Sequence, residues 1–491
     1  MKPYYQSTRL DPEVLDGKQA VLRGISPDGG LYVWPELGED KLDLNKMCQL
    51  DYKEQALEVF GRLLSGYTKE ELADCVDQAY SHSFSHPAIT PLISAGDLDV
   101  LELFHGPTSA FKDVALTILP QFLSKALADQ NQKALILTAT SGDTGKAAMS
   151  GFQDVENTGI CVFYPDGKVS SVQYKQMAAQ KGANVKVVAV EGNFDDAQSM
   201  VKKLFLDEDL RKELADQGVV LSSANSINIG RLIPQIVYYF NAYAQLVSQG
   251  RIQIGEEVSF SVPTGNFGDV LAGYYARLLG LPVKKFYVAS NANNVLTDFL
   301  ENGVYDRNRP FFQTISPSMD ILISSNLERL LYYASGKDHE KVAKWMDDLA
   351  KTGRYELDEQ TRKEIQSLFE GGYYTDDQLK DTIAKTYEKT GYVLDTHTAA
   401  AYALGMEKKG DEPLVVLSTA SPYKFSQDVL AALGKQEEDP WKAMSQLADI
   451  NPQPVPEALA VLQEAEILHT AKADPEGMKD AVRNAAQEIF S

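Results

Sequence analysis

From about position 92 the chain alternates short uninterrupted apolar runs with longer stretches whose apolar residues recur every three or four positions. Uninterrupted runs of this length suit strands covered on both faces, and the three-to-four spacing suits helices with one buried stripe. The runs at 100–103, 135–137, 160–163, 185–190, 219–221, 258–262, 285–289 and 414–417 therefore predict strands separated by helices. Alternation of the two element types predicts parallel strands joined by right-handed crossovers, an α/β core with helices on both faces. Ligands of such folds sit beyond the carboxyl ends of the strands.

Both ends of the chain depart from that rhythm. An extended entry segment precedes two helical patterns at 52–64 and 69–80, and 85–91 is a connector. The charged, helical stretch 337–378 predicts an insertion packed on the outside of the core. The tail 437–491 is Ala/Glu-rich with a helical pattern broken by Pro452, Pro454, Pro456 and Pro475, and predicts a solvated helical appendage. The expected division is a mainly helical N-terminal domain at 1–90, an α/β core of two subdomains at 91–430, and a helical extension at 431–491.

Three places carry candidate chemistry. Leu103-Phe-His-Gly-Pro-Thr-Ser-Ala-Phe-Lys-Asp-Val114 sets Lys112 between an aromatic ring and a carboxylate, at the start of a helical stretch and after a run of turn-forming residues. A lysine so placed is either a surface charge or a buried amine with a lowered pKa, able to attack a carbonyl. Ala139-Thr-Ser-Gly-Asp-Thr-Gly-Lys-Ala-Ala148 and Pro263-Thr-Gly-Asn-Phe-Gly-Asp269 each follow a predicted strand and open a predicted helix. Such a loop is either a plain strand-to-helix connection or an anion site made of free N–H groups at a helix start. Neither completes a nucleotide P-loop or a dinucleotide fingerprint.

Formal charge matters next. With 47 Lys and Arg against 69 Asp and Glu, the net charge is −22 over 491 residues. That balance argues against nucleic acid and anionic membranes as partners, but not against a small anionic substrate bound by local groups. There is no signal-like or membrane-spanning apolar stretch, so the expected location is cytoplasmic. Cys48, Cys75 and Cys161 lack metal or redox spacing and are expected to be structural thiols; no metal site is expected. His105 is either a structural histidine or a substrate contact.

The three segments around Lys112, Thr140 to Gly145, and Gly265 to Asp269 resemble the signature segments of the threonine synthase family. Tyr5-Gln-Ser-Thr-Arg9, Gly24-Ile-Ser-Pro-Asp-Gly-Gly-Leu-Tyr-Val33, Asn225-Ser-Ile-Asn-Ile-Gly-Arg231, Ser318-Met-Asp-Ile321, Ser325-Asn-Leu-Glu-Arg329, Asp395-Thr-His-Thr398 and Ser418-Thr-Ala420 follow in the family's order. The resemblance implies a tryptophan synthase β-like fold (fold type II) with pyridoxal 5'-phosphate as cofactor. It implies that O-phospho-L-homoserine and water become L-threonine and phosphate, in a monomer or homodimer.

By the same resemblance Lys112 is catalytic and holds the cofactor covalently. Gly265, Asn266, Phe267 and Gly268 hold the cofactor phosphate, Asp269 after them is also cofactor-binding, Asp143 faces the 3-oxygen and Thr419 the pyridine nitrogen. Thr140, Ser141, Gly142 and Thr144 receive the substrate carboxylate; Asn225, Ser226, Asn228 and Arg231 receive its phosphate. Asp143 stands where related enzymes usually carry asparagine. Ser421 stands where the family often has histidine, and the family commonly has a bulky residue near Ile229 and Gly230. The alternatives are a sister pyridoxal enzyme, dehydratase or phospho-lyase, and a family member without catalysis.

Overall fold

The computed structural model describes residues 4–140, 142–192 and 194–491, the side chains of Phe194 and Asp195 excepted. Among these residues two sheets form the core. The larger runs Phe369–Tyr373, Val283–Ser290, Val258–Pro263, Leu414–Ser418, Leu98–Glu102, Leu92–Ala95, parallel except for the last pair. The smaller runs Ala471–Ala473, Val185–Val190, Thr158–Pro165, Lys133–Ala139, Val219–Ser222, all parallel. Every strand predicted from an apolar run is present. Their central members are buried along their whole length, as strands covered on both faces must be.

The helices Tyr52–Leu63 and Lys69–Tyr80 begin at capping boxes, Asp51 with Glu54 and Thr68 with Glu71, which satisfy otherwise unpaired first-turn N–H groups. Tyr52–Leu63 lies against the long helix Ile229–Ser248. That long helix is apolar almost all round, so it is buried on nearly every face. Gly230 lies where it meets Leu119 and Val21: a Cβ there would come within 2.8 Å of Leu119 Cδ1 and 3.0 Å of Val21 Cγ1. A bulky residue at this position would need that packing to shift.

Two expectations need correction. The insertion 337–378 is not merely external, because its Phe369–Tyr373 segment forms an edge strand of the larger sheet. The C-terminal tail is not a solvated appendage. Ala471–Ala473 extends the smaller sheet, and the helix Met478–Phe490 buries Met478, Val482, Ala485 and Ala486 against Leu135, Leu137 and Cys161. Its polar composition hides a single apolar stripe, which is enough to dock a helix. Among the described residues no helix is long and apolar enough to cross a membrane.

Candidate active site

Three neighbouring strands of the larger sheet deliver three predicted site segments at their carboxyl ends. Val258–Pro263 leads to the Gly265–Gly268 loop, Leu414–Ser418 to Thr419, and Leu98–Glu102 to the Lys112 loop. Adjacent strands lie about 4.8 Å apart, so the segments are arrayed in that order across the sheet edge. The loops at Lys112 and Thr419 are joined by backbone. Phe111 N–H donates to Thr419 O at 2.8 Å, Ser421 N–H to Ser109 O at 3.0 Å, and Ala110 bridges Ala420.

Lys112 opens the short helix Lys112–Leu116, with its ammonium 5.4 Å from the Phe111 ring centre. Its Nζ donates to Ser318 Oγ at 3.2 Å and lies 3.8 Å from Asp143 Oδ2. Burial is the largest influence on this amine and, together with the positive charges of Lys424 and Arg231, outweighs Asp143 and pushes it down to about 8. Asp143, the first residue of the helix Asp143–Phe152, also pairs with Lys424 at 2.8 Å. Burial alone would raise its carboxyl, but Lys424 and Lys112 hold it well below the usual carboxylate range. Asp113 turns away, bonded to Thr108 N–H and Oγ1 at 2.8 and 2.5 Å.

Ser318 is itself held. Its N–H donates to His397 Nε2 at 3.1 Å, which leaves Nδ1 to carry the ring proton toward Asp395 Oδ1 at 3.0 Å. Lys424, Ser318, His397 and Asp395 were not named as site residues from sequence. A lysine between Tyr423 and Phe425, echoing Phe111 before Lys112, was the available signal for the first.

The Gly265–Gly268 loop fits an anion. The N–H groups of Gly265, Asn266 and Phe267 find no acceptor among the described residues, and the helix Gly268–Leu278 begins there with its own free first-turn donors. Phe267 takes a left-handed conformation, φ 62°, which turns the chain sharply into the helix. A Cβ on Gly268 would meet nothing nearer than Asn326 Nδ2 at 3.5 Å, whereas one on Gly265 would strike Ser318 O at 2.7 Å. The space beside Gly268 is therefore open, and the residues present suit a phosphate. The Asp269 side chain points the other way, accepting from Tyr238 and Tyr239 at 2.6 and 3.0 Å, so only its backbone faces the loop. Burial raises that carboxyl to about 7 against the pull of the two phenols. The Thr419 hydroxyl bonds to nothing among the described residues and is free for a ligand.

In the facing loop Thr140 Oγ1 accepts from the N–H groups of Gly142 and Gly145, each at 3.0 Å, so its hydroxyl shapes the turn. Asp143 and Thr144 N–H remain without acceptors among the described residues. Ser141 lies outside the described residues.

Arg231 is 4 % exposed; Nη1 donates to Ala224 O at 2.9 Å, and among the described residues it meets no carboxylate and Nε has no partner. Burial lowers it to about 10. Asn228 caps the long helix through Gly230 N–H and donates to Val21 O, so its side chain is structural on both sides. Asn225 is exposed and Ser226 half-buried, their side chains bonded to one another at 3.3 Å. Asn326 ties the Asn225–Arg231 segment to the Gly265–Gly268 loop, donating from Nδ2 to Ser226 O and to Asn266 O, each at 3.2 Å. Fully buried Arg329 reinforces the tie through Ile227 O and Tyr32 O. His105 bonds Glu102 at 2.8 Å and stacks on Phe104, a structural arrangement.

Known proteins resemble the chain along most of its length. Family models described as "Threonine synthase N terminus", "Pyridoxal-phosphate dependent enzyme" and "Threonine synthase, C-terminal" match residues 4–80, 85–372 and 397–482. The chain is 40 % identical to the threonine synthase of Pseudomonas aeruginosa over 87 % of this chain and 89 % of that protein. It is 37 % identical to human Threonine synthase-like 1 over 85 % of this chain, spanning only 58 % of that protein's length. The crystal structure of a PLP-bound threonine synthase from Brucella melitensis superposes with a TM-score of 0.89 at 38 % identity, covering 99 % of this chain and 100 % of that one. The chain belongs to the threonine synthase family of pyridoxal-phosphate-dependent enzymes.

Proposed function

We propose that this protein converts O-phospho-L-homoserine and water to L-threonine and phosphate, as a cytoplasmic enzyme. The observation that carries the reading is Arg231: a buried guanidinium without a carboxylate, close enough to Lys112 to depress it, and separate from the Gly265–Gly268 loop. One anion loop suffices for a cofactor phosphate. A second, cationic site near the reacting amine suits a substrate that carries a phosphate of its own.

Bound at this site, pyridoxal phosphate supplies an electron sink. Gly265, Asn266, Phe267 and Gly268 would hold its phosphate, Thr419 would hydrogen-bond the pyridine nitrogen, and Asp143 would lie at the 3-oxygen. Asp143 and Thr144 N–H groups, at a helix start, suit the substrate carboxylate; Gly142 shapes that turn. Lys112, once free, has an amine poised near neutral pH to take the α-proton and return it, with Ser318 Oγ beside it to steady the amine. Arg231 would bind the phosphate as its bond to Cγ breaks, with Asn225 and Ser226 at the rim. Over the whole reaction one proton leaves Cβ and one reaches Cγ as the Cγ–O bond breaks, while water supplies the hydroxyl at Cβ and its other proton leaves with phosphate.

Product analysis tests this. Purified, cofactor-loaded enzyme given phosphohomoserine should form threonine and phosphate in equal amounts. A 2-oxo acid with ammonia as the main product would assign the chain to the phospho-lyases instead.

A further inference from the structure

Lys424 lies on the short helical turn Pro422–Phe425 and is buried, its side chain 2 % exposed. It donates to Thr108 O at 3.0 Å and meets one carboxylate, Asp143, at 2.8 Å. Asp143 thus has a lysine on each oxygen: Lys424 on Oδ1 and, farther off at 3.8 Å, Lys112 on Oδ2. The closer partner is the one that has no covalent role.

We infer that Lys424 is a positioning residue of the active site, holding Asp143 so that this carboxylate neither captures the Lys112 ammonium nor presents a bare negative charge to the cofactor. The inference rests on the reading that Lys112 holds the cofactor. It accounts for an acid at a position where sister enzymes carry a neutral amide: Asp143 and Lys424 together are neutral.

The charges around the pair define what its loss would do. Lys112 faces Asp143 from the helix Asp143–Phe152, Lys424 from the turn, Arg231 from the helix Ile229–Ser248 and Asp113 from its own helix. Asp143 faces Lys424, Lys112 and, from the helix Thr396–Lys408, His397. Asp113 is occupied by Thr108, and Lys146 donates to Gln180 at 2.5 Å. Without Lys424, Asp143 would be left with Lys112 as its near cation. A buried carboxylate paired with a single ammonium holds that ammonium protonated to higher pH. The free amine needed for attack on a carbonyl would then be scarce at neutral pH.

The test uses cofactor-free protein and follows the rate at which it captures pyridoxal phosphate, by absorbance, as a function of pH. Lys112→Ala is the control: if it captures the probe as well as wild type, the Lys112 assignment itself fails. Given that control, the wild-type profile should have its midpoint near 8. Lys424→Met should move it upward by about one unit or more, the scale of a nearby charge, and Lys424→Arg should restore it. The double variant Asp143→Asn, Lys424→Met should return close to wild type, because a neutral amide needs no counter-ion. Should Lys424→Met fail to fold, Asp143→Asn alone leaves Lys424 unpaired and should move the midpoint down, with the double variant moving it back. An unshifted Lys424→Met profile, or coincident profiles for Asp143→Asn and the double variant, overturns the inference.

Discussion

The Phe111 N–H donates to the Thr419 carbonyl at 2.8 Å. This bond fastens the residue beside the reactive lysine to the residue expected at the far end of the cofactor ring, although the two lie on segments far apart in sequence. Parallel pairing of Leu98–Glu102 with Leu414–Ser418 makes the contact possible, because both chains leave the sheet at the same edge. The segments that carry Lys112 and Thr419 are thereby fixed relative to one another by backbone, which suits chemistry that depends on alignment.

Borohydride treatment of the cofactor-loaded enzyme should leave the cofactor on the Lys112 peptide alone. Lys112→Ala should then lower turnover by at least ~10²-fold, the scale for loss of one positioned proton-transfer group. Peptide mapping decides: label at buried Lys424 or half-buried Lys146 would contradict the assignment.

The sheet core and this lysine were legible because continuous apolar runs and a lysine framed by turn residues are local signals. Phe369–Tyr373 was not legible: Phe-Glu-Gly-Gly-Tyr has no β-branched residue and no alternation, and becomes a strand only because Val283–Ser290 offers a free edge. Asp395 and His397 fall in a segment that the sequence marked only by family resemblance, and Asp395 caps the helix Thr396–Lys408. Their second role, holding Ser318 against Lys112, joins segments that no spacing connects. Arg231 was the reverse case. An arginine followed by an almost wholly apolar helix is a sign of burial, but only the fold shows that it meets no carboxylate among the described residues.

Gly268→Val should leave the fold intact and weaken cofactor retention. The added side chain enters open space beside free N–H groups, where it would block approach of an anion. Loss of one charge-assisted hydrogen bond, ~1.5–3 kcal/mol, corresponds to at least about a tenfold weaker affinity, readable by dialysis and titration with cofactor. Gly265→Val should in addition lower thermal stability, since its side chain meets the Ser318 backbone. Equal cofactor affinity in wild type and Gly268→Val would remove the loop from the cofactor site.

Asp269 gives a pH signature. Burial raises its carboxyl from an ordinary 3.8 to about 7 in the folded state. A group with a raised folded pKa contributes stability in full below its unfolded value and loses it as pH climbs through the folded one. The melting temperature of cofactor-free wild type, relative to Asp269→Asn, should therefore fall between about pH 4 and pH 7 and then level off. A difference that stays constant across that window would show that Asp269 is ionised in the fold throughout.

Arg231→Ala kinetics test the central claim, that a second anion site reads the substrate phosphate. The variant loses a charge-assisted contact of ~1.5–3 kcal/mol, so kcat/KM for phosphohomoserine should fall at least about tenfold while cofactor absorbance is retained. The loss should extend to kcat, because the phosphate gains charge as it departs and Arg231 would hold it most tightly then. Unchanged kcat and KM in a fully cofactor-loaded Arg231→Ala enzyme would contradict the account.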